Sequence, residues 1–268
     1  MVSKALFSWV AFPVYVWQGI SVRLRIERLH PAEVPHEGRF DGKGDEISLL
    51  VAGDSSVAGV GMTRLDDTLA FNIARTLNER SGRPVRWRAA GANSATSGDL
   101  RDHVIPHVED RDFTHVVLAI GTNDMKNFHV IRRFKREFGT LLYAVRARFP
   151  DARIVWSPVA DMTRIPALPP ALGRILQIRA GLINAMGARL CNECGAVMAD
   201  PLPIHGPQGF ARDGFHAGPA GYRSWAEHLA EYLVPERPSP APLKLQSADQ
   251  DDREQTRQGQ LPEIAASS

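Results

Sequence analysis

Four short stretches carry residue types suited to acyl chemistry. The first is Gly53-Asp54-Ser55-Ser56. A serine at a strand-to-helix turn is a candidate nucleophile, because a helix N-terminus behind it favours developing negative charge. The same residues also read as an ordinary helix cap. The second is Gly91-Ala92-Asn93-Ser94-Ala95-Thr96-Ser97-Gly98-Asp99, whose small residues let backbone N–H groups approach a ligand closely. It reads equally as a flexible loop. The third is Gly121-Thr122-Asn123-Asp124, where the asparagine amide can face an oxyanion or simply close the strand in an Asx turn. The fourth is Asp213-Gly214-Phe215-His216. Asp and His three apart on a tight turn can meet. The carboxylate would then fix the imidazole tautomer and leave the other ring nitrogen to take a proton. The plainer reading is a capping aspartate beside a surface histidine.

Other chemistries fit less well. The glycines after the first apolar run, Gly59-Val60-Gly61, lack the Gly-Lys-Ser/Thr ending of a phosphate loop and the third glycine of a dinucleotide fingerprint. Val57 stands where a Gly-x-Ser-x-Gly elbow needs its last glycine. Cys191 and Cys194 form a lone Cys-x-x-Cys with no second pair to complete a zinc site, so they read as two reduced thiols at a helix end. His103 and His107 lie one helical turn apart with no third ligand, and they read as solvent-facing. No metal and no cofactor is expected.

These stretches need a scaffold to bring them together. Short apolar runs at Ile47–Ala52, Val85–Ala90, His115–Ile120, Arg153–Pro158 and Ala196–Asp200 alternate with helical patterns. The helices are expected at Thr68–Arg80, Gly98–Val108 (ended or kinked by Pro106), Phe128–Phe149, Ala171–Cys194 and Pro219–Tyr232. Strict alternation, with nearly continuous apolar runs, predicts a three-layer α/β/α sandwich, flavodoxin-like, on a mostly parallel five-stranded sheet. In such a sheet the site lies beyond the carboxyl ends of the strands, where three of the four stretches fall.

The termini differ from this core. Residues 1–28 include the apolar run ALFSWVAFPVYVWQGISV from Ala5 to Val22, flanked by Lys4 and by Arg23, Arg25 and Arg28. It is at the lower limit for a spanning helix and holds Pro13. An uncleaved anchor or interfacial helix facing the cytoplasm is one reading, and a helix packed on the domain of a cytoplasmic protein is the other. Residues 29–45 read as a linker, 46–234 as the folded domain, and 235–268 as a disordered tail of Pro, Gln, Ser and charge. Lys and Arg number 32 against 30 Asp and Glu, a net charge of +2, so no basic excess points to nucleic acid. The sequence leaves the oligomeric state open.

Taken together and in order, the four stretches resemble the SGNH hydrolases, the GDSL-like esterases and lipases. GDSS at Gly53–Ser56, the loop ending Ser97-Gly98-Asp99, GTND at Gly121–Asp124 and DGFH at Asp213–His216 carry the resemblance, which covers about Ile47 to Tyr232. It implies Ser55 as nucleophile, His216 as general base and acid, and Asp213 as its orienter. It also implies an oxyanion hole from the N–H groups of Ser55 and Gly98 and the side chain of Asn123. Asp54 and Asp124 would brace their turns. The departure is Ser56, where the family usually has leucine. The implied reaction is hydrolysis of a carboxylic ester, small or lipid-like, through an acyl-enzyme. The alternatives are an acyltransferase using the same residues and a non-catalytic binding module. Asp161–Pro170 and Pro201–Arg212, rich in Pro, Ile, Leu and Phe, are expected to wall the acyl site or else to pack on themselves as surface loops.

Overall fold

The computed structural model describes residues 10, 12–110 and 112–234, apart from the side chains of residues 12, 14, 15 and 23. The expected tail at 235–268 and the first part of the apolar N-terminal run lie outside the described residues.

Six strands form one sheet in the order β1-β3-β2-β4-β5-β6. They are β1 (Glu37–Phe40), β2 (Ile47–Gly53), β3 (Val85–Gly91), β4 (His115–Ala119), β5 (Arg153–Ser157) and β6 (Val197–Met198). All neighbours are parallel except β1, which runs antiparallel to β3. The five expected strands are present, and β1 is a correction: four residues of the expected 29–45 linker join the sheet. Phe40 packs edge-on to Phe71, 5.1 Å between ring centres, and gives that edge an apolar anchor.

Strand β2 is buried along its whole length, as a central parallel strand should be. Its side chains alternate between two cores. Leu50 and Ala52 face the core shared with α5 (Ile131–Arg148) and α6 (Pro170–Glu193). Leu49 and Val51 face the core of α2 (Leu69–Ser81) and α7 (Pro219–Leu233). The chain leaves β2 towards β3 on one side, then returns past it to β4 on the other. The crevice between β2 and β4 is therefore the switch point of the sheet.

The helix expected at Gly98–Val108 is broken into pieces. A short α3 (Ser97–Asp99) runs into a wide turn and then a tight one at Ile105–His107, where Pro106 supplies no N–H. A short α4 (Thr122–Lys126) follows β4. At the N-terminus α1 (Phe12–Arg25) leaves Trp17, Ile20 and Leu24 exposed, while Val22 packs against the domain. Among the described residues no helix is long and apolar enough to cross a membrane.

Candidate active site

The carboxyl ends of β2 and β4 come within backbone contact. Any Cβ on Gly53 would overlap the carbonyl oxygen of Ala119, and the N–H of Asp54 donates to that oxygen at 3.2 Å. The chain then coils tightly, with the N–H groups of Val57 and Ala58 both donating to the Asp54 carbonyl. Asp54 Oδ1 accepts from the N–H and the hydroxyl of Ser56, each at 3.0 Å. Ser55 and Ser56 both line the neighbouring cavity, but the Ser56 hydroxyl is occupied with its own turn. Burial holds the Asp54 carboxyl above its ordinary value, against the two hydrogen bonds from Ser56.

After β4, Gly121 takes φ +123°, which a residue with a Cβ rarely adopts, and turns the chain into α4. That turn buries Asn123. Its amide donates to the Ala95 carbonyl at 3.0 Å and lies 3.4 Å from Asp54 Oδ2. Asn123 thus touches both the Asp54 turn and the small-residue loop.

The Asp213–His216 turn comes from the far end of the chain. Asp213 Oδ1 accepts from the backbone N–H of Phe215 at 2.9 Å and of His216 at 3.0 Å. Its other oxygen lies 2.6 Å from His216 Nδ1. Burial pushes this carboxyl up, but the bonds from the imidazole and the two amides outweigh burial and hold it below the usual carboxylate range. The turn is pinned from both sides. Ala211 N–H donates to the His216 carbonyl at 2.8 Å, and Ala167 N–H to the Gly214 carbonyl at 3.0 Å.

These parts border one cavity of about 290 Å³. Ser55, Asn123 and His216 line it; Gly98 does not. Gly98 is buried in α3. Both stretches expected as walls contribute: Met162 and Ile165 from one, Leu202, Ile204 and Phe210 from the other. Among the wall residues that no stretch above singles out are two aromatic ones of α7, Tyr222 and Trp225. Trp225 donates to Ser157 Oγ at 2.8 Å, and Tyr222 is fully buried with its hydroxyl unpartnered. Their signal was the aromatic pair on one helix just after the Asp-His turn.

The remaining candidates stand apart from this cavity. His103 and His107 are exposed. Cys191 and Cys194 are free thiols at the end of α6, and burial pushes Cys191 up to about 12. Among the described residues one group has metal-compatible spacing, Asp124, His129 and Glu137, all buried. Glu137 sits on the apolar stripe of α5 between Phe134 and Leu141, a position where a charge is a signal in itself.

Residues 51–224 match the model of the GDSL-like Lipase/Acylhydrolase family. No protein of curated function matches the chain. Solved structures with the same fold include the extracellular lipase of Streptomyces rimosus (16% identity, TM-score 0.53, covering 70% of this chain and 100% of that one). A lipase/acylhydrolase of Enterococcus faecalis is similar at 18% identity and TM-score 0.54, covering 72% and 100%. So is an acetylxylan esterase of Geobacillus stearothermophilus, solved as a catalytic mutant, at 14% identity and TM-score 0.53, covering 70% and 94%. At these identities the structural likeness establishes the fold.

Proposed function

The chain belongs to the GDSL-like lipase/acylhydrolase family, and from that membership we propose that it hydrolyses carboxylic esters with Ser55, His216 and Asp213 as its acting residues. One observation carries the reading. Ser55 and His216 line the same cavity, and His216 has its other ring nitrogen on Asp213 at 2.6 Å.

Ser55 Oγ attacks the ester carbonyl carbon while His216 Nε2 takes the hydroxyl proton. Asp213 holds the ring by Nδ1 and stabilises the imidazolium. The negative oxygen is received by the Asn123 amide and the N–H of Ser55, which line the cavity; the family pattern adds the N–H of Gly98, which is buried and does not line it. The carbon–oxygen bond to the alcohol breaks, and His216 returns the proton to the departing oxygen. Water then adds to the acyl-enzyme by the same route in reverse and releases the acid. The Ser56 hydroxyl, engaged with Asp54, takes no part.

The apolar walls suit an acyl group larger than acetyl, and a lipid-like ester is the substrate class we favour. The exposed face of α1 extends this reading. It carries Trp17, Ile20 and Leu24, with Arg25 and Arg28 also exposed, a combination that would seat this face on an anionic lipid surface.

The test is hydrolysis of p-nitrophenyl esters of increasing chain length by the parent and by Ser55→Ala and Ser56→Ala. Ser55→Ala should abolish turnover and labelling by a fluorophosphonate, and Ser56→Ala should keep most of both. The reverse pattern moves the nucleophile by one residue. Parental activity in Ser55→Ala ends the proposal.

A further inference from the structure

A buried cluster around Asp124 joins the two turns that carry Gly98 and Asn123. Asp124 is fully buried, next in sequence to Asn123. Its Oδ2 accepts both the N–H of Ser97, at 2.9 Å, and the Ser97 hydroxyl, at 3.0 Å. Ser97 is next in sequence to Gly98. One carboxylate oxygen therefore ties together the residues adjoining the two donors.

The rest of the cluster holds that carboxylate in place. Asp124 Oδ1 lies 3.2 Å from His129 Nδ1. The His129 N–H donates to the Asp124 carbonyl at 3.1 Å, and the His129 carbonyl accepts from Arg179 at 2.7 Å. Glu137 Oε2 lies 3.6 Å from the same His129 nitrogen, buried and without a hydrogen bond. Its other oxygen accepts from Arg133 Nε at 2.8 Å. The Glu137 carboxylate also roofs Gly98, since a Cβ there would lie 3.3 Å from it. Helix α5 thereby covers Gly98, while Asp124 links the small-residue loop to α4.

We infer that Asp124 is a positioning residue: with His129 and Glu137 behind it, it fixes the separation of the Gly98 N–H and the Asn123 amide. The inference rests on the oxyanion assignment proposed above. The physical reason is that oxyanion donors act by being in place before charge develops, so freedom in either turn is lost rate. A misplacement of about 1 Å in such a site costs about 100-fold.

The experiment compares Asp124→Ala, Asp124→Asn, Ser97→Ala and Asn123→Ala on one p-nitrophenyl ester, with kcat and KM separated. A trifluoromethyl ketone serves as tetrahedral analogue, and thermal melting checks the fold. Asp124→Ala should lower kcat about 10–100-fold, with KM within about 2-fold and analogue affinity falling in parallel. Asp124→Asn keeps an acceptor for Ser97 and should recover most of the rate. Ser97→Ala removes one of the two donations and should cost several-fold. Should Asp124→Ala fail to fold, Ser97→Ala and Asp124→Asn still decide. Parental kcat in Asp124→Ala, or in Ser97→Ala where Asp124→Ala fails to fold, overturns the inference. So does a loss in kcat that leaves analogue affinity unchanged. If Asn123→Ala itself is fully active, the oxyanion assignment fails first, and that outcome is distinct.

Discussion

His216 Nδ1 sits 2.6 Å from Asp213 Oδ2, and the other oxygen of that carboxylate takes the backbone N–H groups of Phe215 and His216. One carboxylate thus orients the ring and shapes the turn that carries it. Asp213→Asn should lower kcat by about 10⁴-fold by favouring the wrong tautomer. The pH dependence of stability has a defined sign. The folded chain holds Asp213 below the usual carboxylate range, so its stabilising contribution is present above the unfolded pKa, about 3.9. It is lost as pH falls through the lower, folded value. Urea unfolding of parent and Asp213→Asn at pH 7, 5 and 3 should show a stability gap that narrows on acidification. A gap that widens as pH falls would contradict the arrangement.

The Asn123 amide reaches the Ala95 carbonyl at 3.0 Å in the free protein. Asn123→Ala should cost about 10²–10³ in kcat, roughly 3–4 kcal/mol of transition-state stabilisation. Its melting temperature should also fall, because the Ala95 carbonyl and Asp54 Oδ2 both lose the amide, at a cost of about 1–3 kcal/mol. Steady-state kinetics beside calorimetry checks both halves.

Gly53→Ala places a methyl group against the Ala119 carbonyl, where backbone rather than side chain must give way. We expect destabilisation of about 1–3 kcal/mol or more, and activity lost beyond what that unfolding explains. Denaturant titration and active-site labelling separate the two. Parental stability would mean that β2 and β4 do not approach as described.

Ile204 faces the cavity from the second wall. Ile204→Trp should leave acetate hydrolysis near the parental rate and lower kcat/KM for octanoate at least about 10-fold. A uniform loss across chain lengths would place the acyl group elsewhere.

Trp17 is 73% exposed on α1. Sedimentation with phosphatidylglycerol vesicles should carry the parent down, and Trp17→Glu should weaken this about 10-fold or more. Equal partition of the two proteins removes the lipid-facing reading.

Much of this molecule was legible in its sequence because the central strands are buried on both faces. ISLLVA and HVVLAI announce themselves as apolar runs, and the site follows at their ends. Strand β1 was hidden because Glu-Gly-Arg-Phe has no such run; only Phe40 and the pairing with β3 make it a strand. Helix α4 spans five residues, too few to show a period. The small residues of the Gly98 loop are plain in the sequence, yet Gly98 is buried and does not line the cavity. Glu137, which stands against Gly98, arrives from a helix about 40 residues later, and no local pattern connects the two.

The Asp213–His216 turn is hydrogen-bonded to both stretches that wall the cavity, through Ala211 on one side and Ala167 on the other. Selectivity and proton transfer are for that reason mechanically joined. A graft that lengthens either rim to admit a bulkier guest will drag the imidazole with it. Retailoring this catalyst therefore favours exchanging single side chains such as Ile204 over transplanting whole segments.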